Sequence, residues 1–317
     1  VSLLKAKWVR MVAGVGGLMA LASCDLLPDG AATDQPRPPV GASATPVEPS
    51  AKSKSLMRYY ARLQSHLQAQ DLLRTGGGGI DTPYTKADVA RNFERIAFYD
   101  EYVRGAGLRA SSEGPDILRR WVRPVRMQLE FGDTVPDAIR QTDTVVVRNY
   151  AARLSRITGH HISMSENDPN FYVIISSEDD RAKTVDRVRQ LVPDIGPTTL
   201  EIIRNPPRSI YCMVLTFIAR DAPTTHNMAI ALIRSEQPDL MRRSCVHEEL
   251  AQGLGLGNDS ATARPSIFND DEEFALLTTH DEELLRLLYH PTLKPGMSLN
   301  QARPLIKRIL DGNPGQI

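Results

Sequence analysis

The chain is short of cysteine, shows no surplus of charge of either sign, and has no long apolar run after its first two dozen residues. Each shortage excludes something. Lysine plus arginine and aspartate plus glutamate both number 38, so the basic surplus of a nucleic-acid binder is missing and no such partner is expected. There are three cysteines and no Cys-x-x-Cys, which removes zinc ribbons and thioredoxin-type redox sites. No Gly-x-Ser-x-Gly frames a serine nucleophile. The glycine run at 75–80 lacks the Lys-Ser/Thr of a phosphate-binding loop. Beyond Ser23 no segment approaches the roughly 18 apolar residues of a membrane span. What remains is a globular composition, 41% hydrophobic and 24% charged, in a chain long enough for one large domain or two small ones.

The amino-terminal residues carry Lys5, Lys7 and Arg10, then an uncharged stretch from Met11 to Ser23, the layout of a signal peptide. It ends in "LASC", Leu21 to Cys24, which resembles the bacterial lipobox. The resemblance implies a lipoprotein signal peptide over 1–23, lipid on Cys24, and a protein held to the membrane of the cell envelope, facing the periplasm. Asp25 favours the inner membrane. An ordinary signal peptide with a chance cysteine is the alternative. Residues 24–54 are rich in Pro, Ala and Ser and read as a flexible tether. With Cys24 lipidated, Cys212 and Cys245 remain as an even pair in an exported chain, so a disulfide between them is predicted. Such a bridge stabilises by roughly 3–4 kcal/mol in the chain-entropy model. Two buried free thiols are the alternative.

Residues 55–84 read as a helix, Ser55–Arg74, followed by a glycine-rich linker. Residues 85–312 read as one domain. A second helix starts at Thr85, capped with Asp88, and carries the stripe Val89, Phe93, Ile96 and Ala97. Val125–Phe131 alternates like a strand, and Asp137–Gly159 is a long helix ending at a glycine. Short strands are predicted in 160–165 and 171–176, then a helix over 177–192. Ser209–Ala219 is the most apolar strand and is expected at the centre of the sheet. A strand over Asn227–Glu236 leads into another helix. The pattern is α+β with one mixed sheet.

That last helix lies in "CVHEELAQGLGLGND", Cys245 to Asp259. Reading His247 and Glu248 as the start of His-Glu-x-x-His fails, because Ala251 would be the second ligand and has no donor atom. Shifted by one, Glu248-Glu249-x-x-Gln252-x-x-Gly255-x-x-Asn258-Asp259 resembles the metzincin motif His-Glu-x-x-His-x-x-Gly-x-x-His/Asp. At about 100° per residue Glu248, Gln252 and Gly255 share a face, while Val246, Leu250 and Leu254 lie opposite. The resemblance implies metal ligands at Glu248, Gln252, Asn258 or Asp259, and a general base at Glu249. These donors are oxygens. They suit a non-zinc divalent cation such as calcium, magnesium or manganese better than zinc, or mark a vestigial site.

Downstream, Thr278 or Thr279 with Asp281–Glu283 resembles the segment that follows the metal in metzincins, with Ile267 or Phe268 where a methionine is usual. Together with "FNDDEEFALLTTHD" and "LYHPTLKPGM", the stretch is similar to the bacterial lipoprotein family known as domain of unknown function 2927, over Thr85 to Met297. The family resemblance implies a zincin (metzincin)-like mixed sheet with a backing helix and an active-site-type helix, and no established activity. The acidic run at 269–273 is expected as an exposed loop, and His160–His161 as a surface pair.

The resulting expectation is an envelope-anchored lipoprotein whose degenerate metallopeptidase-like domain binds an envelope peptide or protein without zinc catalysis. The alternatives are a hydrolase using Glu249 as general base with an unusual carboxylate/amide metal site, and a purely structural envelope factor.

Overall fold

Strand β1 (Arg120–Trp121), β2 (Val125–Phe131), β3 (Ile162–Met164), β4 (Phe171–Ser176) and β6 (Ala222–Arg234) run parallel, and β5 (Cys212–Ala219) runs antiparallel to β6 in the same sheet. These coordinates come from a computed structural model that describes residues 48–99, 114–219, 221–269 and 271–312. The expected signal peptide, Cys24, Asp25, most of the expected tether and the second helix beyond Tyr99 lie outside these residues.

The sheet order is β3-β2-β4-β6-β5. Strand β5 takes one edge of β6 along almost its whole length, Ala222 to Ile233. The other edge is shared: Thr225 and His226 pair with β1, and Ala229 to Arg234 pair with β4. The strand expected at the centre, β5, is therefore at the margin, and the fully buried β4 is interior. The reason lies in its side chains. Cys212 and Val214 pack into the larger core, while Met213, Leu215 and Phe217 pack into a second cluster on the opposite face. Both faces of β5 are covered, so its sequence is apolar throughout, although one hydrogen-bonding edge has no partner strand among the described residues.

Helices cover the two faces. The second cluster holds Tyr172 and Ile174 of β4 with Val185 and Val188 of α4 (Arg181–Leu191) and Ile203 of α5 (Pro197–Arg204). The larger core lies under α2 (Lys86–Phe98), α3 (Asp137–Thr158), α6 (Asp239–Gln252), α7 (Thr279–Leu288) and α8 (Leu299–Asp311). Helix α3 buries Val147, Tyr150, Ala151, Leu154 and Thr158, the spacing of one helical face, and stops where Gly159 adopts φ 66°. Capping boxes start α2 at Thr85–Asp88, α7 at Thr278–Asp281 and α8 at Ser298–Gln301. Strand β1 and helices α5 and α8 are additions to the elements read from sequence.

Helix α1 (Ala51–Gln68) begins four residues before the expected start and ends six before the expected end. Its first turn is fixed to the sheet's carboxyl end. Ser50 N–H donates to Asp179 Oδ2 at 2.9 Å, Lys52 pairs with Glu178 at 2.5 Å, and the Ser53 hydroxyl donates to Glu236 Oε1 at 3.0 Å. Tyr60 then packs with Leu73, Met241, Ala275 and Leu276. No helix among the described residues is long and apolar enough to cross a membrane.

Candidate functional site

Helix α6 positions the site. Val246, Leu250 and Ala251 are fully buried against the core, and Cys245 and Glu249 are buried with them, Glu249 being only 4% exposed. Glu248, Gln252 and Gly255 form the half-buried stripe that remains, which is the face the helical spacing selects. The end of the helix is closed by aromatic donors. Trp121 Nε1–H donates to the Gly253 carbonyl at 2.8 Å and the Tyr289 hydroxyl to the Leu254 carbonyl at 3.0 Å, satisfying acceptors that a helix terminus leaves open. Gly255 then turns with φ 127°, where a Cβ would lie 2.5 Å from the Arg119 carbonyl oxygen, so the turn requires glycine.

The expected ligands divide between two places. Gln252 Nε2 donates to Asp259 Oδ1 at 3.4 Å, which keeps these two beside each other on the half-buried stripe. Asn258 is turned inward, 2% exposed, and its Nδ2 donates to the Arg95 carbonyl of α2 at 3.0 Å. Glu248 and Glu249 reach instead toward β5, where a carboxylate oxygen of each and Cys212 Sγ all lie within 4.8 Å of one another. Cys212 and Cys245 are joined as a disulfide with Cα atoms 5.9 Å apart, as predicted.

His247 does not face this group. Its Nδ1 accepts the Leu277 N–H at 3.0 Å, and the imidazole stacks on Tyr150. Burial, with Arg153 and Arg243 nearby, lowers its pKa to about 3. A neutral, buried imidazole with Nδ1 committed to Leu277 agrees with the rejection of the first motif register, which already lacked a donor at Ala251.

The segments beyond α6 close around it. The Asp281 carboxylate, at 0% exposure, accepts from the Ser266 hydroxyl at 2.5 Å, Ile267 N–H at 3.1 Å, Thr278 N–H at 2.9 Å and the Thr278 hydroxyl at 2.8 Å. Thr278, rather than Thr279, is the cap. Within the acidic run Asp271 is exposed as expected, whereas Glu272 and Glu273 are half-buried and turn back onto the fold. Glu273 pairs with Arg74 and Arg264, and Glu272 accepts from the Tyr211 hydroxyl at 2.5 Å. Burial, then the Glu272 and Glu248 carboxylates, push the Tyr211 phenol well above its ordinary pKa. Tyr211 and Glu272 thus join Glu248 in one acidic corner, although they lie 37 residues before it and 24 residues after it in sequence. His160 sits half-buried with Nε2 2.9 Å from the Arg123 carbonyl, and His161 is exposed.

One residue pattern on α6 is legible only when the helix is read from the cysteine. Cys245, Glu248 and Glu249 stand at i, i+3 and i+4 and share a face. Reading the stretch from its histidine, in the metallopeptidase register, hides it.

Residues 86–308 match the sequence model of a family described as "Protein of unknown function (DUF2927)". No curated protein and no solved structure matches the chain.

Proposed function

The chain belongs to the DUF2927 family of proteins of unknown function, and from its site we propose an envelope-anchored, zincin-like protein that binds an extended peptide or protein segment without zinc catalysis. The observation that carries this reading is the edge strand β5. Among the described residues no strand pairs with its outer edge over Cys212 to Ala219, where alternate residues turn their backbone groups outward, next to the acidic stripe of α6. An extended segment adds to such an edge as a further strand, with main-chain hydrogen bonds giving affinity and flanking side chains giving selectivity. Zincin-like ancestry is supported by the order strand, backing helix α3, further strands, helix α6, and by Glu249 and Gly255 at the motif positions. Export to the envelope is supported by the lipobox-like Leu21–Cys24 and by a disulfide, which persists in oxidising compartments.

The second reading, a hydrolase, draws on Glu249 alone. Glu249 is a buried carboxylate, 4% exposed, at the position the motif reserves for a general base. One experiment separates the two. Purified full chain is titrated into a dye-labelled random peptide library and followed by fluorescence anisotropy, with mass spectrometry for new termini and a parallel assay on peptidoglycan. Saturable binding without cleavage is expected. Turnover that disappears in Glu249→Gln would establish the hydrolase instead, and absence of both binding and turnover would end the peptide-binding reading.

A further inference from the structure

The face of α6 that carries Cys245, Glu248 and Glu249 looks onto Cys212, the first residue of β5. One sulfur and two carboxylates therefore converge from two rigid elements, Cys212 Sγ lying within 4.8 Å of an oxygen of each glutamate, and the second sulfur, Cys245 Sγ, is bonded to the first. Zinc takes sulfur and carboxylate donors in tetrahedral sets of four. It takes the sulfur as thiolate, and a sulfur held in a disulfide is not one. Three donor atoms are thus close together, with the fourth one bond beyond Cys212 Sγ, while the bridge keeps both sulfurs out of use.

We propose that reduction of the Cys212–Cys245 disulfide opens a zinc site made by Cys212, Cys245, Glu248 and Glu249. This goes beyond the peptide-binding reading and does not depend on it. A dithiol reductant supplies the electrons. Its thiolate attacks Sγ of Cys212, the half-buried cysteine of the pair, and Cys245 leaves as thiolate. The second thiol of the reductant then breaks the mixed disulfide. The reductant ends as a cyclic disulfide, and the protein gains two electrons and two protons as two thiols. A zinc ion takes the place of those two protons, which pass to water, and joins the two carboxylates.

Three features favour the ion. Four anionic ligands match the ligand charge of a four-cysteine site. Neighbouring carboxylates, one of them almost fully buried, repel each other, and a dication relieves that repulsion. Finally, three of the four ligands sit at i, i+3 and i+4 of one helix, so the site needs only small side-chain adjustments. It is unlike the motif site read from sequence: it uses sulfur, shares only Glu248 with the expected ligands, and leaves Gln252, Asn258 and Asp259 aside.

The test uses full chain in two states, oxidised and reduced by a phosphine with desalting under argon. Zinc is measured by competition with a chromophoric indicator, and cobalt by its thiolate charge-transfer absorption. Reduced protein is expected to bind one equivalent of zinc and oxidised protein none. Glu248→Gln and Glu249→Gln should each weaken binding at least about tenfold, since even loss of an outer-shell partner costs that much. The Cys212→Ser/Cys245→Ser double variant should bind none, and its circular dichroism reports whether opening the bridge alone unfolds the chain. Equal binding in both redox states, zinc binding indifferent to both glutamates, no binding, or a reduced chain that unfolds and is not refolded by zinc would each overturn the proposal.

Discussion

Tyr150 lies flat on the imidazole of His247, ring centres 4.0 Å apart and planes 9° from parallel, and its hydroxyl donates to the His247 carbonyl at 2.8 Å. The arrangement requires neutral histidine, because Nδ1 is the acceptor for Leu277 N–H. In the unfolded chain histidine titrates near ~6.5, whereas the folded state holds it at about 3. Between these values the unfolded chain binds more protons. The contribution is therefore complete above pH ~6.5 and is lost as pH falls toward 3, at up to about 1.4 kcal/mol per pH unit. His247→Asn keeps an acceptor near Nδ1 and cannot titrate. Urea denaturation at pH 7 and pH 4.5 should show a smaller acid loss in the variant than in the wild type. An equal loss in both would refute the assignment.

Gly255 and Gly253 are predicted to tolerate alanine unequally. At Gly255 the positive φ and the Arg119 carbonyl, 2.5 Å from an added Cβ, act together. At Gly253 the backbone is ordinary and the obstacle is the Phe171 ring, with Cζ 2.5 Å away. Backbone strain plus overpacking should make Gly255→Ala cost about 2–4 kcal/mol, and overpacking alone should make Gly253→Ala cost about 1–3. Thermal melts rank the two, and a Gly255→Ala protein as stable as the wild type would contradict the turn geometry.

Arg242 and Asp143 form an ion pair in which both side chains are 2% exposed, with Nε to Oδ2 at 2.9 Å. Burial raises the Asp143 pKa against the opposing pull of Arg242. Breaking the pair by Asp143→Leu should cost about 3 kcal/mol, because the buried guanidinium is left with only Asp239, a largely exposed carboxylate, as its ionic partner. Asp143→Leu combined with Arg242→Met should recover most of that loss. A double-mutant cycle by chemical denaturation checks it, and additive losses would show that the two groups do not act as a pair.

Asp281 offers its two carboxylate oxygens to four donors. Asparagine keeps one acceptor oxygen and turns an NH2 toward the rest. Asp281→Asn is expected to cost about 2–4 kcal/mol, several charge-assisted hydrogen bonds being lost at once. Amide exchange should accelerate at Ile267 and Thr278 ahead of the sheet amides. Uniform acceleration everywhere would mean that Asp281 does not specifically hold this turn.

Helix caps were the most legible part of the sequence. The boxes at Thr85–Asp88 and Thr278–Asp281 are local, their signals lying within four residues, and both form. Alternation in Val125–Phe131 and the glycine after Thr158 were equally direct. What was hidden is non-local. An apolar run reports how many faces of a strand are covered and is silent on its edges, so β5 read as central. Strand β1 is two residues long, too short to show a period. At the site, α6 and its glycine turn were legible because helical spacing and the motif coincide. The convergence of Cys212, Tyr211 and Glu272 on the acidic face of α6 was not, since only the folded sheet brings them there.

The bonds at the start of α1 have a mechanical consequence. A pull on the chain from its amino-terminal side first meets Ser50, Lys52 and Ser53, which grip Asp179, Glu178 and Glu236, and then the packing of Tyr60 on Met241, Ala275 and Leu276. These polar contacts, unlike the sheet's hydrogen bonds, lie one behind another along the line of pull, so load falls on them one at a time. The first helix therefore stands between the amino-terminal end of the described chain and the β-sheet as a separately fastened element.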